Sequence, residues 1–177
     1  MAAQASYPVS AVVAFNVQEE KVLYRQSSQP QIDFPAIGEA VRNLRLGRVD
    51  IARLGQKHAG TEFLGDLLAQ EFSAPDKPDA YVIAGPKTLM EESIPAEKLG
   101  PALEKDLPVF YLNYNLSPQA APWRDALSSA VRLFKGQEFT ISKPRDLWFA
   151  ITELVGKAVK SKAERRETAS AGVGKGL

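Results

Sequence analysis

The only imidazole in the 177-residue chain is His58, and there is no cysteine. Histidine catalysis needs a nucleophile and an orienting acid within reach. No G-x-S-x-G turn is present to supply the first, so His58 reads as a loop or surface side chain. The absence of thiols excludes thiolate catalysis, iron–sulfur clusters and cysteine zinc sites. Gly85-Pro86-Lys87-Thr88 brings a glycine, a lysine and a hydroxyl together. It lacks the G-x-x-x-x-G-K-[ST] spacing of a phosphate loop, and Pro86 has no N–H to donate. No G-x-G-x-x-G follows the first apolar run, which argues against a dinucleotide site. The pairs Glu19-Glu20 and Glu91-Glu92 are adjacent in sequence rather than convergent, and are expected in solvated loops. No cofactor is expected from these residues.

Asn113-Tyr114-Asn115 is a polar and aromatic cluster directly after an apolar run. It has two readings. The amides and phenol form a recognition surface, or the asparagines satisfy a turn while the tyrosine covers the end of a strand. Trp123 and Trp148 fall in helical segments. Trp148, between Leu147 and Phe149, is expected to pack between helix and sheet.

The elements that must position these groups follow from hydrophobic periodicity. Residues 9–17 are an apolar, β-branched run of strand length, the pattern of a strand covered on both faces. Residues 21–25 extend it or form a short second strand, and 26–31 read as a loop. Asp33 is placed to cap a helix over 34–45, with Pro35 in its first turn, Phe34, Ile37, Val41 and Leu44 on one face, and Gly47 ending it. Val49–Leu54 alternates as a strand. Thr61 can cap the next helix, which carries Phe63, Leu64, Leu67, Leu68 and Phe72. Strands over 80–84 and 108–112 flank a loop and a short helix near 96–105. A helix over 123–135 closes on Gly136, a strand covers 137–142, and a last helix starts near Asp146. Short apolar strands alternating with amphipathic helices predict an α/β fold: a three-layer, doubly wound, mostly parallel sheet. In such sheets ligands bind beyond the carboxyl ends of the strands, which selects Asn16, Gln18, Gly85 to Lys87, and Asn113 to Asn115.

The chain is 45% hydrophobic and 24% charged, with a formal net charge of +1. Near-neutrality argues against a nucleic acid partner, which demands a concentrated excess of Lys and Arg. No apolar stretch has membrane-spanning length. The length suits one domain, read as residues 9–162, between a flexible start at 1–8 and a disordered, Gly/Ala/Ser-rich tail at 163–177. Lys157, Lys160, Lys162, Arg165 and Arg166 gather near the last helix end, where cations suit the dipole; they also suit an acidic partner or membrane surface. Ala3-Gln4-Ala5 has the form of a signal-peptide cleavage end. An exported mature protein and an ordinary Ala-rich start both fit it.

The order Pro108–Asn115, Trp123–Lys135, Gly136, Glu138–Ser142 and Arg145–Val159 resembles the closing half of a von Willebrand factor A-like domain. Gly60-Thr61-Glu62-Phe63-Leu64-Gly65-Asp66-Leu67-Leu68 is similar to that family's threonine segment, and the resemblance spans most of 9–160. It implies an Asp-x-Ser-x-Ser metal site at the end of the first strand, completed by a loop threonine and a later aspartate. Magnesium requires such oxygen ligands. Here the first strand ends Phe15-Asn16-Val17-Gln18-Glu19, and the strand at 80–84 ends Gly85-Pro86, with no aspartate at either place. Asn16 and Thr61 are the vestigial positions, and no metal is expected. A complete sandwich plan with no assembled catalytic set leads to the expectation of a non-enzymatic protein-interaction module with a protein partner. The candidate contact residues are Asn16, Gln18, Thr61, Lys87, Asn113, Tyr114 and Asn115. The alternative is a small-ligand binder or enzyme working at the carboxyl end of the sheet near Asn16 and Asn113.

Overall fold

A computed structural model describes residues 10–42, 59–74, 78–87, 93–104, 108–114 and 125–173. The strand expected at 49–54 lies outside these residues. So do Gly47, His58, Thr88, Glu91, Glu92, Asn115, Trp123 and the segment at 1–9. The chain divides into two compact units, 1–64 and 65–177, where the sequence reads one domain over 9–162.

In the first unit, β1 (Ser10–Asn16) and β2 (Lys21–Gln29) form an antiparallel hairpin. The pairing corrects two expectations. β1 does not enter a parallel sheet as a strand covered on both faces; none of its residues is fully buried. β2 runs on through residues 26–29, which composition alone assigns to a loop. Gln26 explains the extension. Its side chain is 5% exposed, accepts from Asp33 N at 3.0 Å and Tyr24 Oη at 3.1 Å, and donates to Gln31 O at 2.8 Å. One amide therefore folds the following loop back onto the strand. Helix α1 (Phe34–Arg42) begins as expected, with Asp33 Oδ1 accepting from Ala36 N at 2.9 Å.

Helix α2 (Ala59–Ser73) contains the boundary between the units. Thr61 is the third residue of this helix rather than its cap, because the helix already starts at Ala59. In the second unit follow β3 (Tyr81–Gly85), a single turn α3 (Ala96–Leu99), a 3-10 turn over Gly100–Glu104, β4 (Val109–Tyr114), α4 (Ala126–Leu133), β5 (Gln137–Ile141) and α5 (Pro144–Val173). The three strands form a parallel sheet in the order β3-β4-β5. The fold is thus mixed α/β, with helices packed on a parallel sheet. Side chains alternate across it, so register places Tyr111 and Asn113 on one face with Glu138 and Thr140, and Leu112 and Tyr114 on the other with Phe139 and Ile141. On the second face Leu147 and Ala150 of α5 pack against Leu112 and Ile141. Phe72 of α2 stacks on Tyr81 with ring centroids 4.0 Å apart and meets Phe134 at 4.6 Å.

The ends of α4 are set by local chemistry. Asp125, fully buried, caps it by accepting from Ser128 N at 2.7 Å. At the other end Gly136 N donates to Val131 O at 2.8 Å and Lys135 N to Arg132 O at 3.0 Å, the paired bonds of a Schellman motif. The left-handed residue is Lys135, with φ 54°, and not Gly136. Gly136 is required for another reason: a Cβ there would sit 2.6 Å from the Val109 carbonyl oxygen.

Helix α5 starts at Pro144. Asp146 in its first turn reaches back to accept from Ser142 N at 3.1 Å and Lys143 N at 2.9 Å. Lys157 then bonds Gln137 at the start of β5, and Lys162 pairs with Asp79, just before β3, at 2.8 Å. The helix therefore runs back along the sheet from the carboxyl ends of the strands to their amino ends. It continues to Val173, through residues that composition assigns to a disordered tail. Trp148 is 73% exposed, against the expectation that it packs between helix and sheet; Leu147 and Ala150 occupy that role. Among the described residues, no helix is long and apolar enough to cross a membrane.

Candidate functional site

Polar groups of three different strand regions converge on the Tyr111 face of the sheet. Asn113 lies within β4, not beyond it, and is 1% exposed. Its Nδ2 donates to Glu138 Oε1 at 2.5 Å and to Thr140 Oγ1 at 3.2 Å, both on β5. Lys87, two residues past the end of β3, brings its Nζ to the same Glu138 oxygen at 3.2 Å. Beneath this array Tyr111, fully buried, donates its hydroxyl to Pro86 O at 3.0 Å. Burial, then the nearby negative charges of Asp125 and Glu138, push the Tyr111 phenol well above its ordinary range. Tyr111 is therefore a fixed donor and not a proton exchanger.

Helix α4 completes the site. A cleft of about 310 Å³ opens between it and β5, lined by Lys87, Ser128, Val131, Arg132, Gly136 and Glu138. Arg132 folds along its own helix, with Nε donating to Ser128 O at 3.2 Å. Among the described residues, two buried side-chain polar atoms have no hydrogen-bond partner, Ser128 Oγ and Asn113 Oδ1. Ser128 lines the cleft together with Glu138, whereas Asn113 bonds Glu138 from outside the cleft lining.

The residues singled out by sequence are distributed as follows. Lys87 and Asn113 meet at Glu138. Tyr114 is on the opposite face, packed against the Leu112, Ile141 and Ala150 cluster. Asn16 belongs to the first unit, where its Oδ1 accepts from Gln18 N at 2.9 Å and Glu19 N at 3.4 Å and closes the hairpin turn. Gln18 is exposed in that turn, and Thr61 is buried within α2. Sequence reasoning missed Glu138, Ser128 and Arg132. The available signal was Glu138 itself, a charged residue between Phe139 and the glycine-ended α4, on a strand otherwise read only for its apolar positions. Among the described residues, no three His, Asp or Glu side chains gather as a metal site would require.

A scan against protein-family models, a search of curated proteins and a search of solved structures return no match for this chain.

Proposed function

We propose that the chain is a non-enzymatic protein-interaction module on a three-layer, doubly wound plan of the von Willebrand factor A type, without that family's metal site. The observation that carries this reading is the outward row of Trp148, Ile151, Val155 and Val159 on α5, 73%, 38%, 52% and 63% exposed. Their spacing puts them along one side of the helix. An apolar row of this kind supports a reading as a protein contact surface. The binding of Asn16 Oδ1 into its own turn supports the second half of the reading, since both lone pairs of that oxygen serve the hairpin.

The test is affinity purification from source cells with the chain and its Trp148→Asp variant. The reading expects one protein that rebinds the purified chain in fixed stoichiometry and is lost with the variant, whose circular dichroism is unchanged. Equal recovery with both, or no such protein, overturns it. Micromolar binding of Mg²⁺ or Mn²⁺ by isothermal titration overturns the metal-free half.

A second reading, a small-ligand binder, is favoured by the cleft between α4 and β5 and the unpartnered Ser128 hydroxyl in its lining.

A further inference from the structure

We infer that the cleft between α4 and β5 binds a small monocarboxylate that also carries a hydroxyl group, an inference resting on the small-ligand reading above. Two cations, Lys87 and Arg132, and one carboxylate, Glu138, line the cleft. Among the described lining residues one positive charge is left over, which a monoanion neutralises. A dianion overshoots, and a neutral polyol or a zwitterion leaves the surplus in place.

The donors and acceptors match the same chemistry. Arg132 commits Nε to Ser128 O, and its guanidinium has further N–H groups for a carboxylate. The Ser128 hydroxyl, with no partner among the described residues, adds a neutral donor. Glu138 receives Lys87 and Asn113 at one oxygen, Oε1, and a carboxylate has a second oxygen to accept from a ligand hydroxyl. Buried polar atoms without partners are rare in folded proteins. The Ser128 hydroxyl is one such atom, and its residue lines the cleft, which points to a polar ligand as the missing partner. The volume of about 310 Å³ is at the small end of ligand sites, which suits an acid of a few carbons.

The full chain, labelled with ¹⁵N, is titrated with lactate, propionate, glycerol and inorganic phosphate while the Ser128 and Gly136 amides are followed by NMR. Lactate is expected to saturate both shifts with a Kd about tenfold below those of propionate and glycerol, one hydrogen bond's worth of discrimination. Arg132→Gln is expected to weaken lactate and propionate alike. Glu138→Gln is expected to remove the preference of lactate over propionate while leaving propionate binding in place. Tighter binding of phosphate or glycerol than of lactate overturns the ligand class and leaves the small-ligand reading standing. No saturable shift with any of the four overturns both.

Discussion

Lys87 reaches over the central strand to Glu138. The lysine follows β3 and the glutamate lies on β5, yet their charged atoms are 3.2 Å apart, with Asn113 of the intervening β4 bonded to the same carboxylate oxygen. The pair thus bridges the two outer strands across the middle one. Both side chains are largely but not fully sheltered, 21% and 28% exposed, so the pair is partly screened by solvent. The hydrogen bond from Asn113 is the stronger tie, because its donor is buried and its acceptor charged.

That ranking is testable by substitution. Asn113→Ala removes two cross-strand bonds, one of them charge-assisted, and is expected to destabilise the chain by about 2–3 kcal/mol. Lys87→Ala removes only the partly screened ion pair and is expected to cost about 1 kcal/mol or less. Urea denaturation of the two variants checks the order.

The close of α4 predicts opposite responses at neighbouring positions. Gly136→Ala forces a Cβ to 2.6 Å from the Val109 carbonyl oxygen, and is expected to cost about 1–3 kcal/mol. Lys135→Gly relieves a left-handed backbone at φ 54° and is expected to gain about 0.5–1 kcal/mol. Thermal unfolding of both variants reads the two signs.

Gln26 holds the hairpin, the loop and the start of α1 through one side chain. Gln26→Ala strips Asp33 N, Gln31 O and Tyr24 Oη of a partner, with an expected cost of about 1–3 kcal/mol confined to the first unit. Amide exchange should speed at Asp33 while Leu112 and Val131 keep their protection; uniform acceleration across both units would contradict this.

Alkaline pH offers a further check. Burial first, and then Asp125 and Glu138, raise the Tyr111 phenol in the folded state above its ordinary value of 10.0; burial and Glu71 do the same for Tyr81. Above pH 10 the unfolded chain therefore releases these protons more readily than the folded one. Stability is expected to be level below that pH and to fall as pH rises beyond it. Tyr111→Phe should flatten the fall in a plot of Tm against pH, while lowering Tm at neutral pH through loss of the bond to Pro86 O.

The parts of the fold that were legible in sequence are those fixed by neighbours in the chain. Asp33 capping α1 is a contact over three residues. The strand expected at 80–84 stands out by apolar content between breakers, and that at 137–142 by the alternation of Phe139 and Ile141 after Gly136; they are found at 81–85 and 137–141. What distant residues decide was not legible. β2 extends because Gln26 is engaged by Gln31 and Asp33, which overrides the polar composition of 26–29. Asn113 looks like turn chemistry, yet lies inside a strand because Glu138 and Thr140, 25 and 27 residues away, satisfy its amide. Gly136 looks like a left-handed cap, but its role is set by Val109 on another strand. Trp148 looked like core because its neighbours are apolar, while helical rotation gives the inward places to Leu147 and Ala150.

The Asn113 amide also works as a checksum on strand alignment. Its two acceptors sit two residues apart on β5, so they meet it together in one alignment only. If β5 slid along β4 by one residue, the amide would face Phe139; a slide of two would keep a hydroxyl or the carboxylate but not both. An apolar residue at 113 would pack in each of those arrangements. The polar side chain thus costs some burial energy and, in return, rejects misaligned versions of the sheet while it is being assembled.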